Sequence, residues 1–114
     1  MKNAIQDKSF RFALRIVNLC RYLQAEQKEF ILTKQLLRSG TSIGANVAES
    51  KHAQSRADFA SKLNIALKEA AETDYWLRLM HEAGYLSHAE YQSVYTDCEE
   101  LERLLAAIVK TMKK

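Results

Sequence analysis

The sequence predicts an all-α, antiparallel up-down four-helix bundle with short loops. Three observations carry this: proline is absent and glycine occurs three times; apolar residues recur at helical spacing through most of the chain; and helix start and stop signals sit close together between the periodic stretches. With 47% hydrophobic and 27% charged residues the 114-residue chain can bury a core, and no linker-like stretch divides it, so one domain over 1–114 is expected.

Helix 1 is expected from Ser9 to Gln27. At 100° per residue, Phe10, Ala13, Ile16, Val17, Cys20 and Leu23 share a broad face, with Phe12, Leu14 and Leu19 on its flanks. The apolar arc exceeds 200°, more than one neighbouring helix would cover. Opposite it run Lys8, Arg11, Arg15, Asn18 and Tyr22. Thr33 is expected to N-cap helix 2. In "SRAD", Ser55 caps helix 3 with Asp58 three residues on, a variant of the capping box. That helix continues to Ala83, where Gly84 ends it in a left-handed conformation. Ser87 and Glu90 form a second box opening helix 4, whose stripe is Tyr91, Val94, Cys98, Leu101, Leu105, Ile108 and Met112.

The segment "LLRSGTSIGANVAES" holds two of the glycines. A phosphate-binding loop needs G-x-x-x-x-G-K-[ST] after a strand. Here Gly40 and Gly44 are four apart, no lysine follows Gly44, and no strand-like run precedes them. On a helix, Gly40, Gly44 and Ala48 instead stack at i+4 intervals as a seam for close helix packing, while Leu36, Ile43 and Val47 continue the apolar face.

Charge is unevenly spread. Residues 1–62 carry 11 Lys/Arg against 5 Asp/Glu, a charge of +6, and residues 63–114 carry 6 against 9, a charge of −3. Such a chain can attract other copies of itself, or a polyanion on its basic side. The basic stripe of helix 1 is the candidate nucleic-acid surface: Lys8, Arg11 and Arg15, joined by Arg21 and Lys34, with Tyr22 placed to stack on a base. Helix 3 has two apolar stripes. Phe59, Leu63, Ala66, Ala70 and Leu77 form the core stripe, and Ile65, Trp76 and Leu79, with Ala83, form a candidate subunit interface.

Other constellations point to structure rather than chemistry. Glu49 and His52 make one E-x-x-H, but a di-iron bundle needs two, plus glutamates that helix 1 lacks. His81, His88 and Cys98 lack zinc-like spacing, and no nucleophile elbow presents a serine. No metal, cofactor or catalytic residue is expected. Asp74 falls on the core side of helix 3 and needs a partner, most simply in an ion pair; Glu49 is expected to pair with an arginine such as Arg38. Cys20 and Cys98 read as buried thiols of a reducing cytoplasm. No apolar run suits a membrane span or an export signal, so a cytoplasmic protein is expected.

"QLLRSGTSIGANVAES" followed by "DFASKLNIALKEAAETDYWLRLM" resembles the bacterial four-helix bundle proteins encoded in intervening sequences of large-subunit ribosomal RNA genes. The resemblance runs from "FRFALRIVNLCRYL" to "ELERLLAAIVKTMKK". More distantly the chain is similar to the accessory variability protein of diversity-generating retroelements. The resemblance implies a non-enzymatic homopentamer with an affinity for RNA or DNA, and a reverse transcriptase as one kind of partner. It carries over no catalytic residue. Two functions follow: an oligomeric adaptor that binds nucleic acid weakly through its basic face, or a protein–protein interaction scaffold whose basic face only keeps it soluble.

Overall fold

The computed structural model describes residues 4–113; the ends of the expected 1–114 domain lie outside the described residues. Four helices follow in order: α1 (Ala4–Gln27), α2 (Leu32–Ser50), α3 (Arg56–Glu82) and α4 (His88–Met112). They form a rod of 44 × 24 × 20 Å. Each helix packs on its neighbours in sequence, and α1 also meets α4, the thinnest of the four seams. Every seam is antiparallel. Cys20 meets Thr33 where Ser9 meets Gly44; Ser39 meets Thr73 where Glu49 meets Lys62; Ala70 meets Cys98 where His81 meets Tyr91; and Lys8 meets Glu100 where Arg15 meets Asp97.

The core is a single cluster in which Ile16, Leu23, Leu36, Ile43, Leu77 and Leu105 are fully buried. Helix α1 begins earlier than expected and is turned relative to the expected face. Its buried line is Ile5, Ser9, Phe12, Ile16, Cys20 and Leu23, and Phe10, expected on the core side, is 69% exposed. The glycines explain the turn. A Cβ on Gly40 would lie 2.8 Å from Cγ2 of Ile16, and one on Gly44 would lie 3.1 Å from the carbonyl oxygen of Ser9. Across the α1–α2 seam Gly44 thus faces small Ser9 and Gly40 faces Ile16, and Ser9 is buried there with its hydroxyl donating to the Gln6 carbonyl. Ala48 is exposed and does not extend the seam.

The expected caps hold at three sites. Ser55 accepts from the Asp58 amide while the Asp58 carboxylate accepts from Gln54 N. Ser87 and Glu90 make a reciprocal capping box. Gly84 has φ +90°, and the pairs Tyr85 N to Met80 O and Gly84 N to His81 O close a Schellman turn.

Thr33 does not cap α2; it lies inside the first turn. Glu29 takes that role. One carboxylate oxygen accepts from Ile31 N and Leu32 N at 3.1 and 3.0 Å, and the other from Thr33 N at 2.8 Å. The Thr33 hydroxyl donates to the Glu29 carbonyl and accepts from Gln24 Nε2. Burial alone would raise the Glu29 pKa, but the three N–H donors and Thr33 outweigh it and hold the carboxyl below its ordinary value.

Two outcomes are expected. Gly40→Ala should destabilise the bundle by about 1–3 kcal/mol through overpacking, although alanine favours a helix by about 1 kcal/mol; in urea denaturation, Ile16→Ala should reduce that cost in the double variant. Equal costs of Gly40→Ala in both backgrounds would disprove the contact. Because the folded Glu29 pKa is depressed, its contribution is complete above the unfolded value of about 4.3 and is lost as pH falls through the folded value. Glu29→Gln should therefore be less stable at pH 7, by about 0.5–2 kcal/mol, and its stability should fall less steeply from pH 5 to pH 3.

Candidate functional site

The basic stripe of α1 lies along the seam with α4 rather than standing free. Lys8 Nζ is 3.1 Å from Glu100 Oε2. Arg15 reaches Asp97 Oδ2 at 2.6 Å and also donates to the Ser93 carbonyl and hydroxyl. Arg11 pairs with Asp7 one turn back in its own helix, at 3.2 Å. These groups line a groove of about 360 Å³ floored by Phe12 and Leu101. The basic half of the chain is therefore partly neutralised by the acidic half within one molecule. Arg21 and Lys34 are exposed and make no ion pair among the described residues, and Tyr22 is exposed on α1. Of the five candidate nucleic-acid residues, only Arg21 and Lys34 keep both exposure and unspent charge.

Apolar side chains stand on two flanks. On α1, Phe10 and Leu14 are one turn apart and 69% and 55% exposed; on α3, Ile65, Tyr75 and Leu79 are 40%, 57% and 37% exposed. Trp76 is drawn toward α2 instead: it packs on the core, donates from Nε1 to Glu72 at 3.1 Å, and meets Tyr75 edge-to-face at 5.1 Å. Glu72 is shared with Arg38, which also binds Glu69 at 3.2 Å. Glu49 pairs with Lys62 rather than with an arginine. Phe10 and Tyr75 were hidden from periodicity for different reasons. Phe10 fell inside an arc too wide to orient, and Tyr75 reads equally well as a polar residue. At the α1–α2 connection, Phe30 and Ile31 are also exposed; adjacent apolar residues next to a cap were the available signal.

The remaining reactive groups are not assembled for chemistry. Burial, with Glu29 nearby, pushes the Cys20 thiol up to about 12, and burial pushes Cys98 up as well. A reactive cysteine needs the opposite shift. The rings of His88, His81, Tyr91 and Tyr95 form a ladder, with His81 stacked flat on Tyr91 at 4.4 Å, and His52 lies exposed after α2. Among the described residues no three His, Cys, Asp or Glu side chains converge as metal ligands, and no helix is long and apolar enough to cross a membrane. Asp74 forms no ion pair among the described residues; it lines a groove on the α3–α4 face together with Glu99, Glu102 and Arg103.

The sequence profile of the 23S rRNA-intervening sequence proteins matches residues 1–107. A solved structure superposes with a TM-score of 0.92 at 56% sequence identity, covering 94% of this chain and 99% of the other. That protein, from Bacteroides thetaiotaomicron, is described as of unknown function and as belonging to the S23 ribosomal protein family. No curated protein matches the chain.

Exposed ion pairs contribute about 0.2–1 kcal/mol and are screened by salt. Arg15→Gln, which removes the best-connected cation of the α1–α4 seam, should lower stability within that range at low salt. The difference from wild type should shrink at 1 M salt; a difference unchanged by salt would show that the Arg15 stem, not its charge, holds the seam.

Proposed function

The chain belongs to the 23S rRNA-intervening sequence protein family and superposes on an S23 ribosomal protein family structure of unknown function, and we propose that it is a non-enzymatic, self-assembling scaffold, a closed ring of bundles. The observation that carries this reading is the pair of apolar flanks. Helices α1 and α3 are diagonal in the bundle, each packed on α2 and α4 rather than on the other. Phe10 and Leu14 therefore face away from Ile65, Tyr75 and Leu79. A two-fold dimer would cover one flank and leave the other wet; a head-to-tail contact covers both and closes into a ring. Fully burying a large apolar side chain yields about 1.5–3 kcal/mol, and association costs roughly 4–15 kcal/mol. Two or three anchors per face make one contact marginal, and a ring, in which every protomer makes two contacts, gains from closure. Five protomers is the size implied by the family resemblance.

Nucleic-acid binding is the second reading, and Arg21 and Lys34 favour it. Repeated around a ring, two uncompensated cations per protomer make a sequence-independent surface for a polyanion, and the exposed Tyr22 ring adds a platform for base stacking. Lys8, Arg11 and Arg15 would join it only by exchanging the carboxylates they already hold. Replacing Arg21 and Lys34 by glutamine would abolish such binding, whereas the scaffold reading requires no binding at about 50 mM salt.

The assembly is tested by light scattering. Wild type should have a mass that is a whole multiple of 13.1 kDa. Leu14→Glu and Leu79→Glu should each give folded monomers. Mixing those two variants at protein concentrations well above those at which wild type assembles should give a one-to-one pair, because each retains the face the other lacks and the single contact must form without the gain from ring closure. A monomeric wild type would refute the proposal, and a mixture that stays monomeric would refute the head-to-tail arrangement.

A further inference from the structure

Two stripes left outside the core have the same make-up. On α1, Asp7, Phe10, Leu14 and Arg21 lie within about 60° of one another around the helix, and on α3 so do Lys68, Tyr75, Leu79 and Glu82. Each stripe is a pair of exposed apolar side chains one turn apart, set between charges of opposite sign. In both stripes the two charges are about four turns apart, roughly 21 Å. Arg21, Lys68 and Glu82 are exposed and form no ion pair among the described residues; Asp7 also holds Arg11 at 3.2 Å. Tyr75, Leu79 and Glu82, with Arg78, line a hollow of about 180 Å³. Arg78 lies about 40° farther round α3 than Glu82.

The signs at the ends decide how the two stripes can meet. Antiparallel, the spacing would seat Phe10 on Leu79 and Leu14 on Tyr75, but it would set Asp7 against Glu82 and Arg21 against Lys68, like on like. Parallel, Arg21 meets Glu82 and Asp7 meets Lys68, while Leu14 lies on Tyr75 and half-buried Val17 on Leu79. Level neighbours adopt the same register. Helices α1 and α3 run in one direction within a bundle, so rotation about an axis along the rods lays α1 of one copy parallel to α3 of the next. Within a bundle Ser9 faces Gly44, midway between Ser39 and Glu49, and these face Thr73 and Lys62. Ser9 thus stands level with roughly residue 67 or 68 of α3, and Arg21 within about two or three residues, or 3–5 Å, of the level of Glu82. We propose, on the premise of the ring, that a second copy docks in this parallel register, with Arg21 of one protomer paired to Glu82 of the next. A contact that needs so little rise closes into a ring instead of winding into a filament. Arg21 is then compensated, and Lys34 alone of the two free cations is left for a polyanion.

The test is light scattering of the full chain, nuclease-treated and serially diluted at about 50 mM salt, where screening is weak. Arg21→Glu and Glu82→Arg should each need about three- to tenfold more protein than wild type to assemble, with helicity unchanged because both sites are exposed. Lys68→Glu, which places a second carboxylate against Asp7, should weaken assembly in the same sense. The double variant Arg21→Glu with Glu82→Arg should assemble as wild type does. The register is overturned if the single variants match wild type, or if the double variant is no better than the weaker single one. Stronger assembly of Arg21→Glu and Lys68→Glu would overturn it in favour of the antiparallel order. Those results leave the ring itself standing so long as Leu14→Glu and Leu79→Glu are monomers, whereas a monomeric wild type removes ring and register together.

Discussion

The rest of the structure depends on how closely α1 and α2 approach at Gly40 and Gly44. A Cβ on Gly40 would clash with Ile16 at 2.8 Å, and one on Gly44 would press on the Ser9 backbone at 3.1 Å. That contact fixes the rotation of α1 about its own axis. With Ser9 and Ile16 locked against α2, the line from Ile5 to Leu23 must face inward, and Phe10 and Leu14 are left on the outside. The glycines thus determine both the packing of the core and which apolar residues remain for contact with other molecules.

Electrostatics follows from the same geometry. An up-down bundle of four helices brings the first and last helices together, and here the first is rich in cations and the last in carboxylates. Lys8 and Arg15 find Glu100 and Asp97, while Arg38 and Lys62 tie α2 to α3 through Glu69, Glu72 and Glu49. The uneven distribution along the chain becomes a nearly balanced one across the molecule. The exception is the α3–α4 seam, where Asp74 and Glu102 line one groove and neither forms an ion pair among the described residues.

Most of the fold was legible because its determinants are local. Ser55, Gly84, Ser87 and Glu90 act within their own turns, and the structure bears each out. The four-helix count and the antiparallel order followed from short connections. What escaped were one local cap and several features set by partners far away in sequence. The face of α1 was misjudged because over half its circumference is apolar and only Gly44 reveals that small Ser9 belongs inside. Glu29 was missed as a cap because it reaches three amides from a position before the helix, where Thr33 looked the simpler choice. The basic stripe was visible as a pattern, but the carboxylates that occupy it lie about 80 residues away, and Asp74 looked in need of a partner but lines a groove formed jointly by α3 and α4. Glu29 apart, whose amide partners lie two to four residues away, the missing information was tertiary.

The order of the seams has a consequence for how the chain reaches its native state. Three of the four join helices adjacent in sequence, and the fourth, α1 with α4, is the thinnest. Topologies dominated by such short-range pairings fold in microseconds to milliseconds, since little loop-closure entropy stands in the way. On a ribosome the α1–α2 hairpin has its tightest contact, the glycine seam, complete within the first 44 residues, so it can pack while α3 and α4 are still being synthesised. The late-arriving α4 then docks on a preformed surface, drawn by charge to α1. The nascent chain exposes the flank of α1 before that of α3 exists, so in the proposed ring each bundle is complete before neighbouring copies meet.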